Sequence, residues 1–114
     1  MPETEPPDVR KMKVSGDVKG LLNALGYKWS WDVRVEAATA LGEIGLRQVK
    51  PDMLSRVIRT LIAVVHDAGG DRTVRWRSVW ALGKIGARLD DPAMLARVID
   101  VLRAALKEIG RAHV

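Results

Sequence analysis

Apolar residues recur along this chain with the 3.6-residue period of helices that bury one side. Val33, Ala37, Ala40, Leu41 and Ile44 mark one stripe, and Leu54, Val57, Ile58, Leu61 and Val65 mark a second. Another runs through Leu95, Val98, Ile99, Leu102 and Leu106. Upstream, Val18, Leu21, Leu22 and Leu25 repeat the spacing of Ile58, Leu61, Ile62 and Val65 behind a Ser15-Gly16 start. Boundary residues agree with these stripes. Ser30 and Asp71 offer side-chain oxygens for N-caps, Gly45 supplies a C-cap able to take positive φ, and Pro51 and Pro92 suit a first helical position, where a missing N–H costs little. No strand is needed.

The stripes belong to an internal repeat. Residues 30–69 laid over 71–110, an offset of 41, give 17 identities in 40 pairs. They fall in blocks: Val33-Arg34 with Val74-Arg75, Ala40-Leu41-Gly42 with Ala81-Leu82-Gly83, Ile44-Gly45 with Ile85-Gly86, and Arg47 with Arg88. Pro51, Met53-Leu54 and Arg56-Val57-Ile58 then match Pro92, Met94-Leu95 and Arg97-Val98-Ile99. Each unit is a pair of helices, and the upstream stripe is a lone second helix. The expected domain is therefore half a repeat plus two complete ones, five helices over residues 15–110, with a tail at 111–114. The acidic, proline-rich start, with Val9 to Val14 as a transition, reads as a disordered or irregular arm over residues 1–14.

Paired helices with a period near 40 resemble HEAT repeats. The block Asp32-Val33-Arg34-x-x-Ala37-Ala38-x-Ala40-Leu41-Gly42-x-Ile44-Gly45 is similar to the short HEAT-like form of the phycobilisome-lyase type, and the resemblance covers roughly residues 15–110. It implies an all-α, right-handed α-solenoid of antiparallel helix pairs. It carries no catalytic residue, and such scaffolds serve many unrelated systems. Lyase activity is not carried over.

Composition narrows the chemistry. With no cysteine, and histidine only at His66 and His113, thiolate chemistry is excluded and a metal site lacks clustered ligands. Ser55 and Ser78 have no base suggested by spacing, and Asp90-Asp91 before Pro92 reads as helix capping. No catalytic residue, cofactor or metal is expected, so the chain reads as non-enzymatic. The longest apolar run, Leu61 to Val65, falls far short of a membrane span, and the N-terminus is unlike a secretory signal. A cytoplasmic, or recombinantly produced, soluble protein is the expectation.

The net charge of +5 arises from 19 basic and 14 acidic residues that are interspersed. Second helices line the concave side in the family resembled, and opposite their apolar stripes stand Lys19, Arg56, Arg59 and Arg97. These are the candidate contacts for a nucleic-acid partner, but Asp67, Asp100 and Glu108 share that face and stacking aromatics do not. Nucleic acid is the alternative reading.

The tryptophans depart from the pattern. At 100° per residue, positions 31, 35 and 39 lie opposite the first-helix core. They hold Trp31, Val35 and Thr39, and their equivalents are Arg72, Trp76 and Trp80. First helices of adjacent repeats stack side by side, so these residues, bordered by Trp29, should form one surface. Large rigid apolar area among guanidinium neighbours is the composition of a protein-binding hot spot. The expected function is a protein-interaction module that binds its partner, or a second copy of itself, through this face. Two alternatives stay open: one or two indoles fold back over the interhelix groove instead, and the patch has the look of one engineered onto a repeat scaffold as much as one that evolved.

Overall fold

The structure is a computed structural model that describes residues 6–44 and 49–111. Six helices form among them, where five were expected: α1 (Val9–Ser15), α2 (Val18–Leu25), α3 (Trp31–Glu43), α4 (Pro51–His66), α5 (Arg72–Gly86) and α6 (Pro92–Arg111). The described residues contain no strand.

The additional helix is α1, which occupies the stretch read from sequence as a transition out of an arm. Asp8 accepts a hydrogen bond from the Lys11 amide at 3.1 Å, and Gly16 closes the helix at φ 71°, a left-handed conformation that costs a residue without Cβ little. Val9 is buried and Met12 packs against the core. Seven residues are too few to hold a helix in isolation. The helix forms because α2 and α3 receive its apolar side. Gly16 therefore ends α1, and Asp17 caps α2 by accepting from the Gly20 amide at 2.8 Å.

The other caps follow the sequence. Ser30 accepts from the Val33 amide and Asp71 from the Val74 amide, while Pro51 and Pro92 open α4 and α6. Asp91 accepts from the Ala93 amide at 2.9 Å, the capping role expected of the Asp90-Asp91 pair. Gly45 and Arg47, the start of the arm up to residue 5, and His113 lie outside the described residues.

Packing places α1, α3 and α5 in one row, with α3 against both neighbours, while α2, α4 and α6 lie against that row from below. The principal dimensions, 41 × 37 × 17 Å, are those of a slab two helices thick. Leu21, Leu25, Leu41, Leu61 and Leu82 are fully enclosed between the rows, as the 3.6-residue stripes require. Truncating Leu41 or Leu82 to Ala would leave a cavity costing about 2–5 kcal/mol.

Two arginines tie the units together. Arg34 Nε donates to the Leu25 carbonyl at 2.7 Å, and Arg75 donates to the Val65 carbonyl from Nε at 3.0 Å and Nη2 at 2.8 Å. Leu25 ends α2 and Val65 stands one residue before the end of α4, where carbonyls have no partner within their own helix. The repeated Val-Arg dipeptide is thus a device that caps the preceding helix with the following one.

Candidate functional site

The turn from α2 to α3 carries two uncovered indoles. Trp29 is 82% exposed and Trp31 54% exposed. The segment that bears them is braced at both ends. Tyr27 packs against the core, the Ser30 cap fixes the start of α3, and the Arg34 bond to Leu25 holds α3 onto the end of α2. Rigid aromatic side chains on a fixed turn lose little conformational freedom on contact with a partner.

The remaining tryptophans differ from the outward orientation expected of them. Trp76 and Trp80 are half-buried and pack against the hydrophobic core. Trp80 lies over α3 at Gly42, where an added Cβ would come within 2.8 Å of Trp80 Cζ3. Arg77 and Lys84, one turn to either side, hold their cationic groups 5.3 and 5.5 Å from the Trp80 ring. The indole is clamped between them over the α3–α5 groove. A helical wheel treats each helix alone and puts position 80 opposite the core, but α5 has a lateral neighbour in α3 and an indole is long enough to reach it. The sequence signal for this was the small residue Gly42 on the helix alongside.

Val35 and Thr39 on α3 are also half-buried, and the Thr39 hydroxyl donates to the Val35 carbonyl at 2.8 Å. Arg72, the equivalent of Trp31, is exposed in the first turn of α5. The expected seven-residue surface therefore has two parts: a projecting pair, Trp29 and Trp31, and a flatter strip along α3 and α5.

Lys19, Arg56, Arg59 and Arg97 are all exposed on the second helices. Arg56 and Arg97 share one repeat register, and Lys19 and Arg59 share another, but the third residue of that second register is Asp100. The basic row is interrupted on α6, and Glu108 on the same helix binds Arg75 at 2.8 Å. His66 is the exposed last residue of α4. Among the described residues no three carboxylate, imidazole or thiol groups cluster as metal ligands would. Ser55 lines a groove of about 530 Å³ together with Leu54, Ile85, Leu89 and Met94, and Ser78 is buried in α5. Asp90 and Asp91 line the same groove as Ser55, and Asp91 is engaged there as the cap of α6. Among the described residues no helix is long and apolar enough to cross a membrane.

A model of HEAT repeats matches residues 18–113. The chain belongs to the HEAT-repeat family. Helix pairs in register, the repeated Val-Arg capping device and the two-row slab are what that membership means physically. No curated protein and no solved structure gave a match. HEAT repeats commonly serve as protein-interaction modules.

Proposed function

We propose that this HEAT-repeat protein is a non-catalytic binding module whose partner is a protein gripped at Trp29 and Trp31. The observation that carries this reading is the exposure of two indoles on a turn braced by the Ser30 cap and the Arg34–Leu25 bond. Isolated exposed aliphatic residues are ordinary, but two adjacent exposed tryptophans leave a large apolar area in water that association would remove. Val35 and Thr39 continue the surface along α3. Trp76, Trp80 and Arg72 provide an adjoining flatter area on α5. This arrangement has the anatomy of a hot spot, with aromatic anchors at its centre and polar groups around it.

The nucleic-acid alternative has less support, because Asp100 occupies the register that holds Lys19 and Arg59 in the other units. Counterion release grows with the number of phosphates met by basic groups, and an aspartate in the row lowers that number.

The test is a selection from a random peptide library displayed against the full chain, followed by titration of the recovered peptides. Trp29→Ala combined with Trp31→Ala should weaken binding by roughly 30-fold or more, equivalent to about 2 kcal/mol, without lowering the melting temperature. Recovered peptides that bind this double variant as tightly as the parent would refute the reading.

A further inference from the structure

The α2–α3 turn offers more than exposed apolar area. Ser30, between its two indoles, is extended, with φ −157° and ψ 118°. The α-carbons of Trp29 and Trp31, two steps apart across it, are therefore separated by about 7 Å. That is the width a single ring takes between two others, since each face needs ~3.5–4 Å of contact distance. Among the described residues, neither indole makes a ring contact or donates a hydrogen bond from Nε1, and the Lys28 side chain forms no ion pair. Two open rings, two unused donors and an unused cation meet on one braced turn.

Resting on the reading that this turn binds a protein, we infer that the segment it takes is proline-rich and acidic, in the polyproline II conformation. An indole donates a hydrogen bond and accepts none. A proline-rich segment is its complement, because proline has no N–H, the polyproline II backbone makes no internal hydrogen bonds, and its carbonyls stand open to any donor. A helical partner has its carbonyls paired within itself and would leave both Nε1–H groups without acceptors. Strand addition requires an open sheet edge, and the described residues contain no strand. The proline segment is also stiff before it binds, so little ordering entropy opposes the contact. Charge selects the flanking residues. Lys28 precedes Trp29, and Arg72 holds the register of Trp31 on the neighbouring α5. Asp32 stands in the first turn of α3, where the positive end of the helix balances it. A carboxylate beside the prolines would meet Lys28, whereas a lysine or arginine placed between the rings would face like charge.

The probe is a synthetic peptide of three Glu-Pro-Pro repeats, titrated against the full chain by tryptophan fluorescence beside a control with glycine for every proline. The proline peptide should bind at least ~10-fold more tightly and shift the emission of the exposed indoles to the blue. Trp29→Phe with Trp31→Phe keeps two rings and removes both donors, and should weaken binding by ~5-fold or more. Lys28→Glu should weaken the acidic peptide by ~5-fold and strengthen a peptide with lysine for every glutamate. Equal binding of the proline and glycine peptides overturns the inference, as does an unchanged affinity in the phenylalanine pair or a preference of the parent chain for the lysine peptide. If the library selection yields indole-dependent peptides that lack proline, the protein-binding reading stands and this inference falls. If no recovered peptide depends on the indoles, both fall. Capture of the parent chain by phosphatidylserine vesicles with no response to the peptide overturns the inference too, and would assign the indoles to a lipid surface.

Discussion

The Arg75 guanidinium reaches the Val65 carbonyl of α4 with two of its nitrogens and the Glu108 carboxylate of α6 with one of them, joining three helices through a single side chain. Arg75 is itself buried, whereas more than half of the Glu108 side chain meets water. The carbonyl bonds should therefore dominate, because exposed ion pairs contribute little and an unpaired carbonyl at a buried helix end costs the full loss of its partner. Arg75→Leu should destabilise the fold by about 2–3 kcal/mol, and Glu108→Gln by less than about 1 kcal/mol, in denaturant titration. Arg75→Lys should recover little of the loss, since an ammonium lacks the planar fork that places two donors on one oxygen. Equal losses at Arg75 and Glu108 would show that the ion pair, rather than the cap, holds these helices together.

Gly42 and Gly83 occupy the same position in the repeated Ala-Leu-Gly block but should respond oppositely to alanine. Inside a helix, Gly→Ala gains about 1 kcal/mol from backbone propensity alone. At Gly83 nothing opposes that gain. At Gly42 the new methyl would meet Trp80 at 2.8 Å and the Ala81 backbone at 3.1 Å, so α3 and α5 would have to separate. Gly83→Ala should raise the melting temperature and Gly42→Ala should lower it, with losses of about 1–3 kcal/mol from overpacking. A gain at both positions would mean that the α3–α5 groove is looser than this contact implies.

Much of the fold could be read from the sequence because the repeat supplies each signal twice. Ser30 and Asp71 cap equivalent helices, Pro51 and Pro92 open equivalent helices, and the stripes from Val33 and Val74 return in register. What could not be read has no second copy or acts between helices. The seven residues of α1 have no counterpart at the same offset, and their helicity depends on a tertiary contact through Val9 and Met12. Trp80 sits opposite the core of its own helix but over the groove to the next, a relation that the period of one helix cannot express. Trp29 and Trp31 were candidates from sequence, yet their exposure was legible only once the α2–α3 turn had a shape. The capping role of Arg34 and Arg75 was within reach, since each lies about ten residues beyond a helix end.

Ser78 offers a test of a buried polar group. Its hydroxyl is fully enclosed in α5 and has no hydrogen-bond partner, and the same register in α3 holds the equally buried Ala37. Burying an unpaired hydroxyl costs about 1–3 kcal/mol by mutational comparison, while Ser→Ala leaves only a small void. Ser78→Ala should therefore stabilise the protein by about 1 kcal/mol, raising the melting temperature by about 4 °C. A lower melting temperature would mean that the hydroxyl finds a partner in solution.

The tryptophans themselves should separate into two pairs. Trp80 covers Gly42 between two cations, and Trp76 packs against the core, so removing either indole uncovers aliphatic surface and strips contacts from the α3–α5 groove. Trp80→Ala should cost about 2–3 kcal/mol of stability, below the figure for a fully enclosed tryptophan because the side chain is only partly buried. Trp29→Ala and Trp31→Ala should each change stability by less than about 0.5 kcal/mol, the range of ordinary surface substitutions. Fluorescence offers an independent measurement on the folded chain. The parent spectrum should combine a red-shifted fraction open to acrylamide with a bluer, protected one, and the Trp29→Ala, Trp31→Ala double variant should lose the accessible fraction. Binding of a partner at the α2–α3 turn should protect that same fraction and leave the bluer one unchanged. If instead the double variant melts several degrees lower while Trp80→Ala melts like the parent, the assignments are reversed: Trp29 and Trp31 would be structural, and the surface available to a partner would be the α3–α5 strip.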